Sequence, residues 1–207
     1  MNFHRKTTSK VIILLFTVAT ISSVNFQESW GKFETKDSSN NIDILLTKAS
    51  EIEATASSAE SVLSLINVYK QIEQTDPHNY YALWKIGNYN IIMGAAYSQN
   101  VKTKKAYYKE AIKYCEKAMS INDSFAIEIN KGTDITVAVK KLSINEVDAM
   151  GYWYTARFYY FKECLKPLGR VMNTKIVIEN NAMIGRIDEL NPDWSGGANY
   201  FSRALYY

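Results

Sequence analysis

Asp76-Pro77-His78-Asn79-Tyr80 closes an amphipathic segment with a polar turn followed by an aromatic residue. The same kind of ending recurs at Asn122-Asp123-Ser124-Phe125 and at Asn191-Pro192-Asp193-Trp194. The spacing between the endings varies, so the repeated unit carries insertions. Recurrence of this kind is typical of helical repeats, in which each unit buries its apolar face only by stacking on the next unit.

The segments before these turns carry side chains of one buried helix face at matching positions. The positions lie eight and five residues before Pro77, Asp123 and Pro192. The first is filled by Tyr69, Cys115 and Ile184, and the second by Ile72, Ala118 and Ile187. We therefore predict an all-α fold, an irregular tetratricopeptide-like helical repeat array (an α-solenoid). Proteins of this architecture usually bind rather than catalyse.

The composition allows a sizeable core and gives no strong electrostatic preference. Of the 207 residues, 47% are hydrophobic and 15 are tyrosines, which fit the aromatic positions of helical repeats or a half-wet ligand surface. The chain has 24 basic and 21 acidic residues, and three of the basic ones lie within the first ten residues. Because the remainder is balanced, nucleic-acid binding is not expected. A local basic patch, which fits a solvated loop and helix start, comprises Lys102, Lys104, Lys105 and Lys109.

The start of the chain has the features of an export signal. A basic region is followed by the apolar run Val11 to Ala19, which is too short to span a bilayer comfortably, and then by the small residues Ser22 and Ser23. We expect a signal peptide at residues 1–23, a disordered linker at 24–41 and a helical-repeat domain at 42–207, in the periplasm. An uncleaved membrane anchor is the alternative. No cysteine directly follows the apolar run, so a lipoprotein signal is not expected.

Two cysteines follow later in the chain, Cys115 and Cys164. In an oxidising compartment they can form a disulfide. Cys115, however, occupies a position that the repeats fill with Tyr69 and Ile184, which favours a small buried hydrophobe.

Apolar residues at helical spacing and capping residues predict where the helices lie. Leu83, Ile86, Gly87 and Asn90 occupy positions that resemble the first helix of a tetratricopeptide repeat, with the glycine allowing close approach of the second helix. Residues 98–104 are expected to form a long loop, and residues 166–169 a break. The predicted helices begin at Ile42, follow a cap at Ser58 or Ser61, and then span 80–97, 107–120, 135–142, 146–165, 173 or 174 to 190, and 198–207.

Two further stretches resemble a known family. The first, from Glu146 to Ala156, places acidic residues before a Tyr-Trp pair on a long helix; the second, from Asn191 to Tyr200, has an Asn-Pro-Asp-aromatic turn and a Gly-Gly pair leading into an aromatic-rich helix. Together with the expected loop at 98–104, they resemble the TatT-type (T component) proteins of tripartite ATP-independent periplasmic (TRAP) transporter systems, over roughly residues 42–207.

This resemblance implies association with the periplasmic solute-binding protein of a TRAP transporter. It also implies self-association, so a homo-oligomer, and a cavity or channel through the helical ring. Members of that family usually continue past the point where this chain stops. An array normally ends in a helix with a polar outer face, which Phe201 and Leu205 do not supply. We therefore expect either a C-terminal truncation or a covering subunit.

The residues give no indication of a catalytic, metal or cofactor site. The two histidines are His4, in the leader, and His78, in a helix-end turn. A zinc site or a histidine-based catalytic group is therefore not expected. Glu146 and Asp148 can be paired carboxylates, but their place in a first helical turn favours interaction with the helix dipole. We expect no enzyme activity and no cofactor.

The predicted binding surface lies on the long helix. Trp153, Arg157 and Tyr160 share one face at i, i+4 and i+7, and Tyr152 borders it. Arg157 can bind a carboxylate or stack on Trp153. Alternatively, this face packs against the neighbouring repeat with Arg157 extended to water. The weaker candidates are Asn88 and Asn90, on a first helix, where the alternative is a solvated helix face.

Two functions are consistent with these features. The first is an accessory component of a TRAP transporter that docks the solute-binding subunit and shelters a ligand. The alternative is a generic exported tetratricopeptide scaffold for protein interactions in envelope assembly.

Overall fold

A computed structural model describes residues 41–206, and over this range the protein is all-α, with no β-strand. The signal peptide and most of the linker predicted from the sequence lie outside the described residues. The helices are α1 (Ile42–Glu53), α2 (Ala59–Thr75), α3 (Tyr80–Ala96), α4 (Val101–Met119), α5 (Asp123–Asn130), α6 (Ile135–Ala138), α7 (Val147–Tyr159), α8 (Pro167–Met172), α9 (Lys175–Leu190) and α10 (Ala198–Tyr206).

The helices stack in chain order, as the repeats predict. α1 packs on α2, α3 on α4, and α7 on α9, so these pairs form three helical hairpins. The hairpins meet where α2 packs on α3 and α4 on α7, and the first helices α3 and α7 also touch each other. α5, α6 and α8 are insertions, and α10 begins the next repeat by packing on α9. The prediction of an all-α helical repeat array is confirmed.

The repeated apolar positions form the core of this array. All six side chains that the sequence places on one helix face are buried. The aromatic residues after the polar turns also pack inward, with Phe125 and Trp194 buried and Tyr80 half-buried. Each repeat therefore buries its face against the next one, as a solenoid requires.

Side-chain caps explain where several helices begin. Ser58 and Ser61 form a reciprocal capping box at α2, and the Asn79 side chain accepts a hydrogen bond from Ala82 N at α3. Asn122 caps α5 in the same way, and Asp134 caps α6. These residues satisfy amide groups that the first turn leaves unpaired, so the chain is directed into a helix at each site.

Three predicted boundaries were wrong. α4 begins at Val101 rather than Tyr107, because the Asn100 side chain accepts hydrogen bonds from Lys102 N and Thr103 N; the expected loop at 98–104 is therefore short. The predicted break at residues 166–169 contains the start of α8, where Pro167 occupies the first helical turn. The predicted 146–165 helix ends as an α-helix at Tyr159 and continues as a π-helical turn over Tyr160–Cys164.

The two cysteines are not joined by a disulfide. Both are free, with Cys115 buried and Cys164 half-buried. The alternative in which Cys115 serves as a small core residue is the one that the structure shows.

Gly87 sets the distance between α3 and α4. A Cβ atom added at Gly87 would lie 2.5 Å from Cys115 Sγ and 3.3 Å from the carbonyl oxygen of Ala111. Any larger residue would push apart the two helices that pack most closely, as the tetratricopeptide-like pattern predicts. Gly185, on α9, is a contrast, because the nearest atom to an added Cβ is 3.9 Å away.

We predict that Gly87→Ala lowers the free energy of unfolding by about 1–3 kcal/mol through overpacking. Gly185→Ala, the matched control, should be neutral or stabilising by up to about 1 kcal/mol, because alanine is the better helix former. Urea unfolding followed by circular dichroism measures both. Adding Cys115→Ala to Gly87→Ala should cost less than the sum of the single changes. Equal effects of the two glycine substitutions would contradict this packing account.

Candidate functional site

α7 is held at the centre of the array by a chain of buried side chains. The Trp153 indole donates a hydrogen bond of 3.1 Å to Glu116 on α4, and Trp153 is fully buried. The Arg157 guanidinium carbon lies 4.1 Å from the centre of the Trp153 ring, a cation–π contact. Arg157 is in turn ion-paired with Glu179 on α9. One helix is thereby attached to the helices on both sides of it.

The buried polar groups around Arg157 are paired with one another. Arg157 Nε donates to Asn180 Oδ1 at 3.1 Å, and Asn180 Nδ2 donates to the Tyr154 carbonyl oxygen at 3.1 Å. Glu179 also accepts a contact from Lys175 Nζ at 3.2 Å, one turn earlier on α9. A buried charge is tolerable only with such partners, because desolvation of an unpaired ion is costly.

These contacts show where the predicted site residues lie. Trp153, Arg157 and Tyr160 are buried, with Arg157 only 2% exposed. The predicted cation–π contact is present, but Arg157 does not extend to water. Asn90 is also buried and donates to the Ile86 carbonyl oxygen at 2.8 Å.

The two remaining candidates, Tyr152 and Asn88, are half-buried. A partner surface at these positions stays a prediction. Trp153, Arg157 and Tyr160 are interior in the folded chain, as the alternative of packing between repeats describes. Asn90 is interior too, rather than on the solvated helix face that was its alternative.

Tyr152 belongs to a row of aromatic rings that crosses three repeats. Its ring is stacked on Trp84 of α3, with centres 5.4 Å apart and planes 8° from parallel, and meets Trp194 edge-on at 5.7 Å. Trp84 also meets Tyr81 edge-on at 5.2 Å. Such offset and edge-to-face pairs are favourable beyond their burial. The row runs along the first helices of the repeats, which we call the first-helix face.

Glu53 fixes the α1 end of this face. A single carboxylate oxygen accepts hydrogen bonds from Tyr89 at 2.6 Å, Tyr69 at 2.7 Å and Lys85 at 2.9 Å. Lys85 Nζ also lies 5.0 Å from the centre of the Trp84 ring. Burial raises the pKa of Glu53, but the hydrogen bonds from Tyr89, Lys85 and Tyr69 outweigh it and hold the pKa below its ordinary value.

A cleft of about 250 Å³ opens at the other end of the first-helix face, between α7 and α10. Its lining combines aromatic rings with hydroxyl groups and contains no charged side chain. The Tyr154 and Ser202 hydroxyls are hydrogen-bonded to each other across it at 3.0 Å. Burial raises the pKa of Tyr152 and of Tyr154, so both phenols stay neutral. The lining residues are Tyr152, Tyr154, Thr155, Phe158, Tyr159, Trp194, Ser195, Ala198, Phe201 and Ser202.

The two acidic residues considered as paired carboxylates have separate structural roles, and Asp148 serves the packing of this cleft. Asp148 accepts a hydrogen bond of 3.0 Å from the Trp194 indole, and Trp194 lies against Gly151, where a Cβ atom would clash with it. Glu146 accepts from Ser143 N at 2.7 Å and from Asn122 at 3.1 Å.

Among residues 41–206 no group of three or more metal-ligating side chains occurs. The helices of this range also include none long and apolar enough to cross a bilayer.

One family model matches the chain. It is described as RMD1-3: Regulator of microtubule dynamics protein 1-3, and it matches residues 45–145. The chain is therefore similar to these regulators over just under half of its length, from α1 to the turn before α7. A comparison with curated proteins and another with solved structures each found no match.

This match overturns the resemblance to TatT-type proteins, and with it the predicted role as an accessory component of a TRAP transporter. The structure explains why the resemblance was misleading. Asp148, the acidic residue before the Tyr-Trp pair, accepts a hydrogen bond from Trp194, and Gly151 leaves room for the Trp194 ring. These are packing contacts between α7 and the turn after α9, so any helical array of suitable geometry can contain them.

The cleft lies on a different stripe of α7 from most of the predicted surface. The cleft uses Tyr152, Thr155 and Tyr159, whereas the predicted face comprised Trp153, Arg157 and Tyr160, with Tyr152 at its border. A shift of one residue rotates the direction by about 100° on a helix. The signal that could have identified the cleft is the spacing of Tyr152, Thr155 and Tyr159 at i, i+3 and i+7. Trp194, the aromatic residue that follows the third polar turn of the repeats, adds to it.

We predict that Arg157→Leu lowers the free energy of unfolding by about 3–5 kcal/mol, because it leaves Glu179 buried and facing only the exposed Lys175. Arg157→Leu combined with Glu179→Leu should recover most of this loss. The control is Lys131→Leu, which removes an exposed ion pair with Glu128 and should cost less than about 1 kcal/mol. Denaturant unfolding measures all three variants, and a loss for Arg157→Leu no larger than that of the control would refute the assignment.

The Glu53 hydrogen bonds predict a pH dependence. Because the folded pKa lies below the unfolded one, Glu53 stabilises the fold fully above its unfolded pKa, and this is lost as the pH falls through the folded pKa. The difference in unfolding free energy between wild type and Glu53→Gln should therefore be largest near neutral pH and shrink below about pH 4. In a Tyr69→Phe/Tyr89→Phe background the pH dependence should weaken. A difference that stays constant with pH would count against the triple hydrogen bond.

Proposed function

We propose that residues 41–206 form a non-catalytic, ligand-binding repeat domain whose cleft between α7 and α10 accepts an uncharged peptide segment carrying an aromatic or aliphatic side chain. The observation that carries this proposal is the lining of the cleft: aromatic rings and hydroxyl groups, and no charged side chain. Aromatic walls favour an apolar side chain, and the hydroxyls offer hydrogen bonds to peptide groups beside it.

The position of the cleft supports the same conclusion. It lies on the first-helix face of a helical-repeat array, and arrays of this kind present extended binding surfaces. Tyr152 and Trp194 connect the cleft to the aromatic row, so a bound segment would lie on preformed walls. Preformed walls limit the ordering cost of binding.

The matched family is described as regulators of microtubule dynamics, a description that names no reaction. The peptide site proposed for the cleft does not depend on that family. The match ends at residue 145, and the cleft is built from Tyr152 to Ser202.

We predict that peptides selected on the full chain bind through this cleft. A random peptide library displayed on phage is selected on the wild-type chain, and the enriched peptides are synthesised and titrated by fluorescence anisotropy. Thr155→Trp, which fills the cleft, should weaken binding at least about tenfold, the effect of losing about 1.4 kcal/mol of contact. The enriched peptides should share an uncharged stretch around a large apolar residue.

Thr47→Trp is the matched control. Thr47 and Thr155 each donate a hydrogen bond to the carbonyl oxygen four residues earlier on a helix, but Thr47 lies exposed on α1. The control variant should bind the peptides as the wild type does. No enriched peptide, or equal loss in both variants, would overturn the proposal.

A further inference from the structure

One corner of the array combines exposed aliphatic side chains with exposed cations. It is built where the start of α4 meets the π-helical turn after α7. Glu163 of that turn accepts hydrogen bonds from Lys104 at 2.8 Å and from Tyr108 at 2.7 Å, and the Cys164 sulfur lies 4.0 Å from the Val101 carbonyl oxygen. We call the surface formed by residues 101–105 and 162–172 the α4–α8 corner.

The aliphatic side chains of this corner project from the protein. Leu168 is 71% exposed, Val171 69% and Met172 53%, at i, i+3 and i+4 on the short helix α8. Val101, at the start of α4, is 53% exposed. Single exposed apolar residues are ordinary, but several on one protruding element indicate an interaction surface.

The α8 segment is held in this projecting position. Arg170 Nε donates to the Leu165 carbonyl oxygen at 3.1 Å, and Arg170 Nη2 donates to the Lys162 carbonyl oxygen. Asn173 closes the segment by donating to the Gly169 carbonyl oxygen at 2.7 Å. The aliphatic side chains are therefore presented by a tied loop and short helix rather than by a loose connection.

Cations surround these side chains, and acidic groups are nearly absent. Lys102, Lys162, Lys166 and Arg170 are all exposed. Within residues 97–109 and 160–175 the sole acidic residue is Glu163. Its carboxylate already faces Lys104 and Tyr108, so the corner presents net positive charge to solvent.

We propose that the α4–α8 corner docks the domain on an anionic membrane surface, with Leu168, Val171 and Met172 entering the headgroup region and the lysines contacting lipid phosphates. Aliphatic side chains ringed by Lys and Arg are the pattern of interfacial attachment to anionic lipid. An acidic protein partner is less well matched, because protein interfaces concentrate their energy in aromatic and Arg anchors within pockets, and the apolar side chains of this surface are exposed and aliphatic. The corner is separate from the cleft and does not depend on the peptide proposal.

A fluorophore attached at Val171→Cys tests insertion at this site. The label is placed in the full chain with Cys164→Ser, because Cys115 is buried and Cys164 is partly accessible. The fluorophore is environment-sensitive, and the vesicles contain phosphatidylcholine with or without phosphatidylglycerol. The apolar run Val11 to Ala19 can bring the whole chain to a membrane, so a reporter on the corner itself is needed. A blue shift with phosphatidylglycerol vesicles is expected at position 171, and none at the control position Leu63→Cys on α2.

The charge contribution is tested in the same labelled chain. Lys162→Gln/Lys166→Gln should raise the lipid concentration at which the shift is half complete about 25-fold, since each cation near an anionic surface contributes roughly a factor of five in membrane affinity. Lys48→Gln/Lys140→Gln, exposed lysines outside the corner, should leave it unchanged. Raising the salt concentration from about 0.1 M to about 1 M should weaken membrane binding as well, because screening shortens the Debye length.

Three results would overturn the proposal. They are an equal shift at positions 63 and 171, a shift that does not depend on phosphatidylglycerol or on Lys162 and Lys166, and no shift with vesicles. If the chain bound heparin or polyglutamate through Lys162 and Lys166 but showed no vesicle shift, the corner would be a site for acidic macromolecules instead.

Discussion

The buried chain from Glu116 through Trp153 and Arg157 to Glu179 is the interaction on which the arrangement of the array depends. It fixes α7 against α4 on one side and α9 on the other. Because Trp153 and Arg157 occupy one stripe of α7, the neighbouring stripe with Tyr152 is turned towards α3 and α10. The aromatic row and the cleft both follow from that orientation.

The buried ion pair between Arg157 and Glu179 determines the orientation of α7 more than it stabilises the fold. Replacing a buried ion pair by apolar residues is often neutral, whereas removing one partner is costly. Arg157 therefore constrains how α7 can rotate, since any other rotation would leave Glu179 or Arg157 unpaired in the core. Glu53 has a comparable role at the first hairpin, where one carboxylate oxygen holds Tyr69, Tyr89 and Lys85.

Much of the fold follows from local sequence signals. The polar turns with a following aromatic residue mark the repeats, and caps such as Ser58 and Asn79 mark helix starts, because both act within a few residues. The start of α4 was missed because its first turns are polar and show no apolar period. The Asn100 cap was the available signal. The break expected at residues 166–169 contains the start of α8, because Pro167 lies in a first helical turn, where proline fits well.

The candidate cleft was harder to predict than the fold, because two adjacent stripes of α7 are both aromatic. Tyr152 and Tyr159 lie on one stripe, Trp153 and Tyr160 on the other, and the sequence does not say which stripe faces the core. That choice is made by Glu116 and Glu179, which lie 37 and 22 residues away from their partners along the chain. The family resemblance misled for a different reason, because it rested on Asp148, Gly151 and Trp194, whose contacts pack α7 against the turn after α9.

The most direct test of the central claim is a nuclear magnetic resonance titration of the full chain with a selected peptide, following backbone amide shifts. The orientation imposed by the Trp153 and Arg157 contacts predicts that shifts concentrate at residues 151–159 of α7 and at residues 194–202. Amides of α1 and α2 should be unaffected at saturation. Shifts concentrated on α1 and α2, with α7 unchanged, would show that the cleft is not where the peptide binds and would contradict the account.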